Sequence, residues 1–164
     1  VRLYTFYGNA LGAPAAIGDA GIGAVHAVAE WHPNVGGAAS DAFHAAFRRR
    51  FPEPKDDYLH LRMQVMVEML AAAIERAGST EALAVARALA GARFDNRVLG
   101  GLGEAHMRAA DQQLQQPLVV SVMERAGSPG AEREVEGSGY GFRTVRRLSA
   151  AEVEQAHQCR MPTP

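Results

Sequence analysis

The chain is poor in the groups that would declare a chemistry outright: its 164 residues include one cysteine, Cys159, and one tryptophan, and only 7% are aromatic. A lone thiol cannot close an intramolecular disulfide, so a disulfide framework is excluded as the source of stability. Lysine and arginine total 17 against 18 aspartates and glutamates, a formal net charge of -1. That balance leaves no one-signed field for holding nucleic acid or an acidic membrane, and no nucleic-acid partner is expected. Long apolar runs are also missing, since segments such as Leu118 to Met123 fall far short of the roughly 20 residues of a membrane-spanning helix. No basic and apolar signal segment follows Val1, and the chain opens without Met on strand-like residues, so it is expected to be cut from something longer.

Chemical motifs are equally sparse. None of the six histidines (His26, His32, His44, His60, His106, His157) has the i, i+4 spacing of a helical zinc motif or a second cysteine nearby, so no metal site is expected. Gly18, Gly21 and Gly23 precede a strand instead of linking a strand to a helix, and read as turn glycines, not a dinucleotide loop. Ser121 and Ser128 lack the small-residue elbow of a hydrolase nucleophile, and the only base near Cys159 in sequence is His157. Neither catalytic machinery nor a cofactor is expected.

What remains is the make-up of one ordinary globular domain, 48% apolar and 21% charged. Val1 to Tyr7 has strand character, and Gly8, Asn9, Gly12 and Pro14 form a loop that opens a short helix near Ala15. Ala24 to Trp31 reads as a second strand, followed by a turn at Pro33, Asn34, Gly36 and Gly37. Ser40 is expected to cap the next helix with Asp41 in its first turn, Phe43 and Phe47 give it a buried face, and Phe51 to Pro54 break it. Arg48, Arg49 and Arg50 at its end read as solvated cations.

In the long helix that follows, Met63, Met66, Val67, Leu70 and Ile74 fall at i, i+3, i+4, i+7 and i+11 and are expected to form the core stripe. Polar His60, Gln64 and Glu68 recur opposite, which suits either an exposed face or, at a helix start, the wall of a cleft. Gly78 should end this helix, Ser79 or Thr80 cap a third one beside Glu81, and Gly91 stop it in a left-handed turn. The period then changes to strand-like at Leu102 to Met107 and Leu118 to Met123, and more weakly at Phe142 to Arg146, as in a sheet that finishes with antiparallel or crossing segments. Ser149 to Glu152 can start a last short helix, and Met161 to Pro164 reads as a tail. At the carboxyl end of the first strand, Tyr7, Gly8 and Asn9 form either a plain turn or a ligand position, because ligands of α/β sheets bind beyond strand carboxyl ends.

Eight blocks, in order, then resemble one family: YTFYGNALG (Tyr4 to Gly12), GDAGIG (Gly18 to Gly23), IERAGST (Ile74 to Thr80), ALAG (Ala88 to Gly91), FDN (Phe94 to Asn96), MRAADQQLQQPLVVSV (Met107 to Val122), GYGF (Gly139 to Phe142) and CRMP (Cys159 to Pro162). They look like the later part of a branched-chain amino-acid-type periplasmic solute-binding protein of ABC transporters. The resemblance implies a partial type I periplasmic-binding-protein fold, an α/β three-layer sandwich. Residues 1–164 would form a single partial domain, mostly the later part of the C-terminal lobe with hinge-crossing segments, the N-terminal portion lying outside the chain. It implies a non-enzymatic, cofactor-free receptor in the periplasm that closes on a small amino-acid-like solute and serves an ABC permease.

By the same resemblance Tyr7 stacks on or hydrogen-bonds the solute, Gly8 and Asn9 present backbone and amide groups, and Arg62 and Gln64 reach in from the long helix. The chain departs from the family where Gln64 and Val65 replace a frequent Tyr-Asp pair and where the Tyr7 to Gly12 loop offers Asn9 instead of an acidic residue. Gln112 also follows Asp111 where a histidine is common. Apolar surface left at a cut would favour self-association of the fragment. Two rival readings are a cytoplasmic ligand-sensing regulator of the same fold, and a small α/β enzyme using Cys159 and His157.

Overall fold

The chain folds around two sheets of unequal size. In the computed structural model, residues 1–54, 57–95 and 104–156 are described. Strand β1 (Leu3–Phe6) leads through helix α1 (Ala13–Ile17) and a 3-10 turn (Gly18–Gly21) into β2 (Val25–Ala29), which lies parallel to it. Helices α2 (Ala38–Arg50), α3 (Asp57–Ala77) and α4 (Ala82–Leu89) follow. Three short strands, β3 (Arg93–Phe94), β4 (Ala105–Met107) and β5 (Leu114–Gln115), make an antiparallel sheet. Then β6 (Leu118–Arg125) returns to the main sheet antiparallel to β2, and β7 (Tyr140–Leu148) pairs antiparallel to β6, giving the order β1-β2-β6-β7. Helix α5 (Ala150–Val153) follows where a last short helix was expected, and Ser149 and Glu152 cap it reciprocally.

Alternation along the strands places the core. Val25 and Ala27 of β2 meet Met123 and Phe142 in one buried cluster that also takes in Val135. Ala29, Trp31, Val35, Leu61 and Val119 form the other, with Ala10 beside them and Phe43 and Val65 packed against it. Trp31 is completely buried, and its ring meets Phe43 edge-on at 5.5 Å between centroids. Its indole N–H donates to Ser40 Oγ at 2.8 Å.

That bond corrects the expectation for Ser40. Helix α2 starts at Ala38 behind Gly37, whose φ of 101° suits glycine alone, and Ser40 is buried within the first turn. A hydroxyl can cap only from the flanking position, so here it satisfies the tryptophan instead. A smaller correction applies to α4, where Glu81 occupies the flanking position without a side-chain cap and Ser79 Oγ accepts from the Glu81 N–H at 3.1 Å. Gly78 and Gly91 do take left-handed conformations, φ 59° and 73°.

The core stripe of α3 is also corrected. Met63, Met66, Val67 and Leu70 are 48–61% exposed, whereas Leu61, Met69 and Ala73 are buried and Val65 packs against the core. The helix is apolar on two faces, so its 3.6-residue period identifies a helix without selecting which face meets the sheet. His60, Gln64 and Glu68 are exposed, and Glu68 also lines a hollow between α3 and the small sheet. The amino end of α3 is tied to α2 through buried Asp57, which accepts from Arg48 at 3.2 Å with His44 Nε2 at 3.5 Å.

Strands β3 and β5 were not expected, and β7 spans nine residues instead of a weak five-residue segment. Of the expected strand at Leu102 to Met107, Ala105–Met107 is observed; Leu102 and Gly103 lie outside the described residues, as do Asn96, His157, Cys159 and Met161 to Pro164. Among the described residues no helix is long and apolar enough to cross a membrane.

Ser40→Ala strips the buried Trp31 N–H of its acceptor, an uncompensated loss of about 1–3 kcal/mol. The urea midpoint should fall with the slope unchanged. An unshifted midpoint would show that the indole bond does not hold α2 in place.

Candidate functional site

The carboxyl ends of β1 and β2 lie side by side and carry a polar cluster. Directly after β1, Tyr7 adopts φ 60°, a left-handed conformation uncommon for an aromatic residue, and the turn closes with Ala10 N–H donating to the Tyr7 carbonyl at 3.2 Å. Gly8 is buried, and a Cβ there would stand 2.4 Å from Thr5 Cγ2, so packing requires glycine. Asn9 is only 3% exposed and donates through Nδ2 to the Trp31 carbonyl at 3.3 Å, joining this turn to the end of β2. Its Oδ1 is buried without a hydrogen-bond partner among the described residues.

Glu30 follows β2, and Arg62 on the first turns of α3 reaches both strand ends. Its Nη2 donates to Tyr7 Oη at 2.9 Å and to Glu30 Oε1 at 2.5 Å, and the guanidinium carbon lies 5.2 Å from the Tyr7 ring centroid. The contact combines a charge-assisted bond with cation–π attraction. Burial works against the Arg62 charge, but the bonds to Tyr7 and Glu30 outweigh it and hold its pKa above the ordinary value. Gln116, just before β6, donates to the same Glu30 oxygen at 3.0 Å.

Gln116 also lines an adjoining hollow of about 160 Å³ between α3 and the small sheet. Val65, Met69, Phe94, Ala105 and Leu114 supply its apolar walls, and Glu68 and Asp95 its remaining polar groups. Three of its eight lining residues are polar, and its volume is below the roughly 300–1,000 Å³ of a complete small-molecule pocket, so it can take only part of a solute.

Of the residues singled out in the sequence, the fold therefore joins Tyr7 to Arg62 and places Gly8 and Asn9 in the buried turn that follows Tyr7. Gln64 lies on the exposed face of α3, where its amide donates to Glu68 at 2.8 Å. Glu30 and Gln116 were missed. The rule that singled out Tyr7, a polar group beyond a strand's carboxyl end, also applies to Glu30; Gln116 carries no local signal, because only the crossing from β5 to β6 brings it here.

Next to this cluster, fully buried His32 takes the Asn34 N–H on Nδ1 at 3.2 Å, which leaves the ring proton on Nε2, facing Ser121 Oγ at 2.8 Å and Thr144 Oγ1 at 2.9 Å. Burial, reinforced by Arg147, pushes the His32 pKa down to about 3. A neutral ring whose Nε2 already bears the proton cannot accept one from Ser121, so this pair is a packing device and not a nucleophile with its base.

A parallel β-α-β start, antiparallel returning strands and a polar cluster at the strand carboxyl ends together define a partial type I periplasmic-binding-protein fold. The family model described as periplasmic binding protein matches residues 2–128. The chain belongs to the periplasmic binding protein family. Among solved structures, it is similar to a leucine-, isoleucine-, valine-, threonine- and alanine-binding protein from Brucella ovis in its closed conformation, at a TM-score of 0.80 and 19% identity over 99% of this chain and 41% of that one. An ABC-type branched-chain amino acid transporter from Rhodopseudomonas palustris CGA009 aligns at 0.71 and 18% identity over 98% and 39%. An amino acid ABC transporter substrate-binding protein from Pseudomonas fluorescens Pf-5 aligns at 0.59 and 15% over 90% and 37%. The chain thus spans 37–41% of the length of the solved structures it matches. No curated protein sequence matches it.

The His32 geometry sets a pH dependence with a definite sign. Above its ordinary pKa of 6.5 the ring is neutral in folded and unfolded chains alike; below 6.5 the unfolded chain takes up a proton that the folded one, with its pKa of about 3, refuses. His32 should therefore contribute a fall in stability as pH drops from about 6.5 toward 3, by up to about 1.4 kcal/mol per pH unit, and His44, its pKa pushed down to about 4 mainly by burial, adds to it above pH 4. Urea titrations between pH 6.5 and 4.5 should show that slope reduced by about one proton in His32→Asn. An undiminished slope would refute the assignment.

Proposed function

We propose that the chain is part of the solute-binding component of an ABC importer, contributing the later part of the C-terminal lobe with its hinge-crossing segments. The receptor works in the periplasm, closes on a small amino-acid-like or related organic solute, and presents it to the permease. The observation that carries this reading is the Tyr7, Arg62 and Glu30 cluster at the carboxyl ends of two parallel strands, beside an apolar-walled hollow.

Binding of this kind needs no covalent step. Closure strips water from polar groups, and the solute must replace the bonds they lose. The Tyr7 ring and hydroxyl form one wall, while the backbone of Gly8 and Asn9 gives the turn its shape. Arg62 and Gln64 approach from α3. Arg62 is already paired with Glu30, so a solute carboxylate exchanges one partner for another at the guanidinium, and a solute amino group does the same at Glu30. An apolar solute side chain fits the walls formed by Val65, Met69 and Phe94.

Calorimetry on the intact receptor against L-leucine, carboxamides and aromatic acids tests the assignment. Tyr7→Ala and Arg62→Ala should each weaken the preferred solute at least about tenfold, equivalent to about 1.4 kcal/mol; unchanged affinity in Tyr7→Ala and Gln64→Ala would remove the site. The 164-residue chain alone should bind the same solute weakly or not at all, because it supplies only part of the cleft walls, and tight binding by it would contradict the partial-receptor reading.

A further inference from the structure

Two of the four non-glycine residues with positive φ among the described residues meet at one contact, Leu11 (57°) and Glu136 (55°), and a third, Tyr7 (60°), opens the loop that Leu11 closes. Glu136 belongs to the connection between β6 and β7, and both its carboxylate oxygens are used. Oε1 accepts from the Leu11 N–H and Oε2 from the Gly12 N–H, each at 2.7 Å. The two segments are 124 and 125 residues apart in the chain, so no local propensity brings them together.

The base of this contact is firm. Val135, adjacent to Glu136, is 2% exposed and packed with Val25, Met123 and Phe142. On the other side a Cβ at Gly137 would come 3.0 Å from the Pro54 ring, so that neighbour is closely packed as well. Within the loop it grips, Gly8, Asn9 and Ala10 are buried, but the far end is not held by packing: the Leu11 side chain is 68% exposed and contributes no burial to offset its left-handed backbone. Strained conformations persist only where surrounding groups over-determine them, and here these are the Glu136 carboxylate at the Leu11 end, Arg62 on the Tyr7 hydroxyl at the other, and between them the buried bond from Asn9 to the Trp31 carbonyl.

We infer that Glu136 is a positioning residue for the Tyr7–Gly12 loop: its carboxylate, held by the β6–β7 connection, keeps the loop in the conformation that aims Tyr7 into the cleft. The inference rests on the proposed solute-binding role for what the loop is aimed at, but not for the clamp itself. Glu136 touches no solute. It acts by removing loop conformations that would otherwise compete with binding, which places part of the affinity in preorganisation.

The clamp is tested in the 164-residue chain by amide hydrogen exchange. In Glu136→Ala the Leu11 and Gly12 amides should exchange at least about tenfold faster, while Val120 and Val122 in β6 keep their protection. Glu136→Gln, which retains one acceptor oxygen, should release only one of the two amides. Unchanged exchange at Leu11 and Gly12, or equal acceleration throughout the sheet, would overturn the clamp.

The functional half is tested in the intact receptor with L-leucine. Glu136→Gln should raise Kd severalfold, and this loss should disappear in a Tyr7→Ala background, as coupling through Tyr7 requires. Equal losses in both backgrounds would mean that Glu136 acts on overall stability and not on the loop. A wild-type receptor that takes up no L-leucine or other amino acid would count against the solute reading, whereas the exchange result would still decide the clamp.

Discussion

The burial of Trp31 is the constraint on which the other elements depend. It stands just past the end of β2, with no exposed surface, and two of its polar atoms reach different parts of the chain: the indole N–H finds Ser40 in α2, and the carbonyl accepts from Asn9 in the turn after β1. Its ring is packed with Phe43, Leu61 and Val119, from α2, α3 and β6. A single large side chain thereby sets the distance between the sheet and two helices. A buried N–H without a partner is costly enough that its acceptor must be present, which gives Ser40 a role unrelated to capping.

Around that residue the β2–α2 turn is held by contacts distant in sequence. Asn34 and Arg133 exchange hydrogen bonds through the Asn34 side chain and the Arg133 backbone, Arg133 also reaches the Pro33 carbonyl and Asp41, and Arg147 donates to the Val35 carbonyl. With cations clustered here, a protonated His32 would add charge to a site with no room for solvent. Its neutrality is part of the packing. Nearer the surface, opposite charges on Glu30 and Arg62 are paired across the strand ends, so the candidate site carries polarity without a net field from that pair. Selection by such a wall depends on which solute can replace those internal bonds on closure.

Much of the element order was legible in the sequence, for local reasons. The strand at Val25–Ala29, the break after Arg50, the left-handed stops at Gly78 and Gly91, and the Ser149 and Glu152 box all follow from residues within a few positions of each other. Tyr7 stands out because a strand's carboxyl end is a local feature, whereas Arg62 is singled out only through the family resemblance. Glu30 satisfied the same rule and was passed over, since nothing nearby showed that it would face Arg62.

What the sequence by itself determined was therefore the type and order of the elements, because hydrophobic period, glycine conformation and capping act over one or two turns of chain. Only the tertiary structure decided which of the two apolar faces of α3 is buried, that Ser40 serves Trp31, and that Gln116 and Glu136 close on segments far from them in sequence. Those outcomes depend on which surfaces meet, and a buried donor, a paired charge or a gripped loop exists only once two distant segments have been brought into contact.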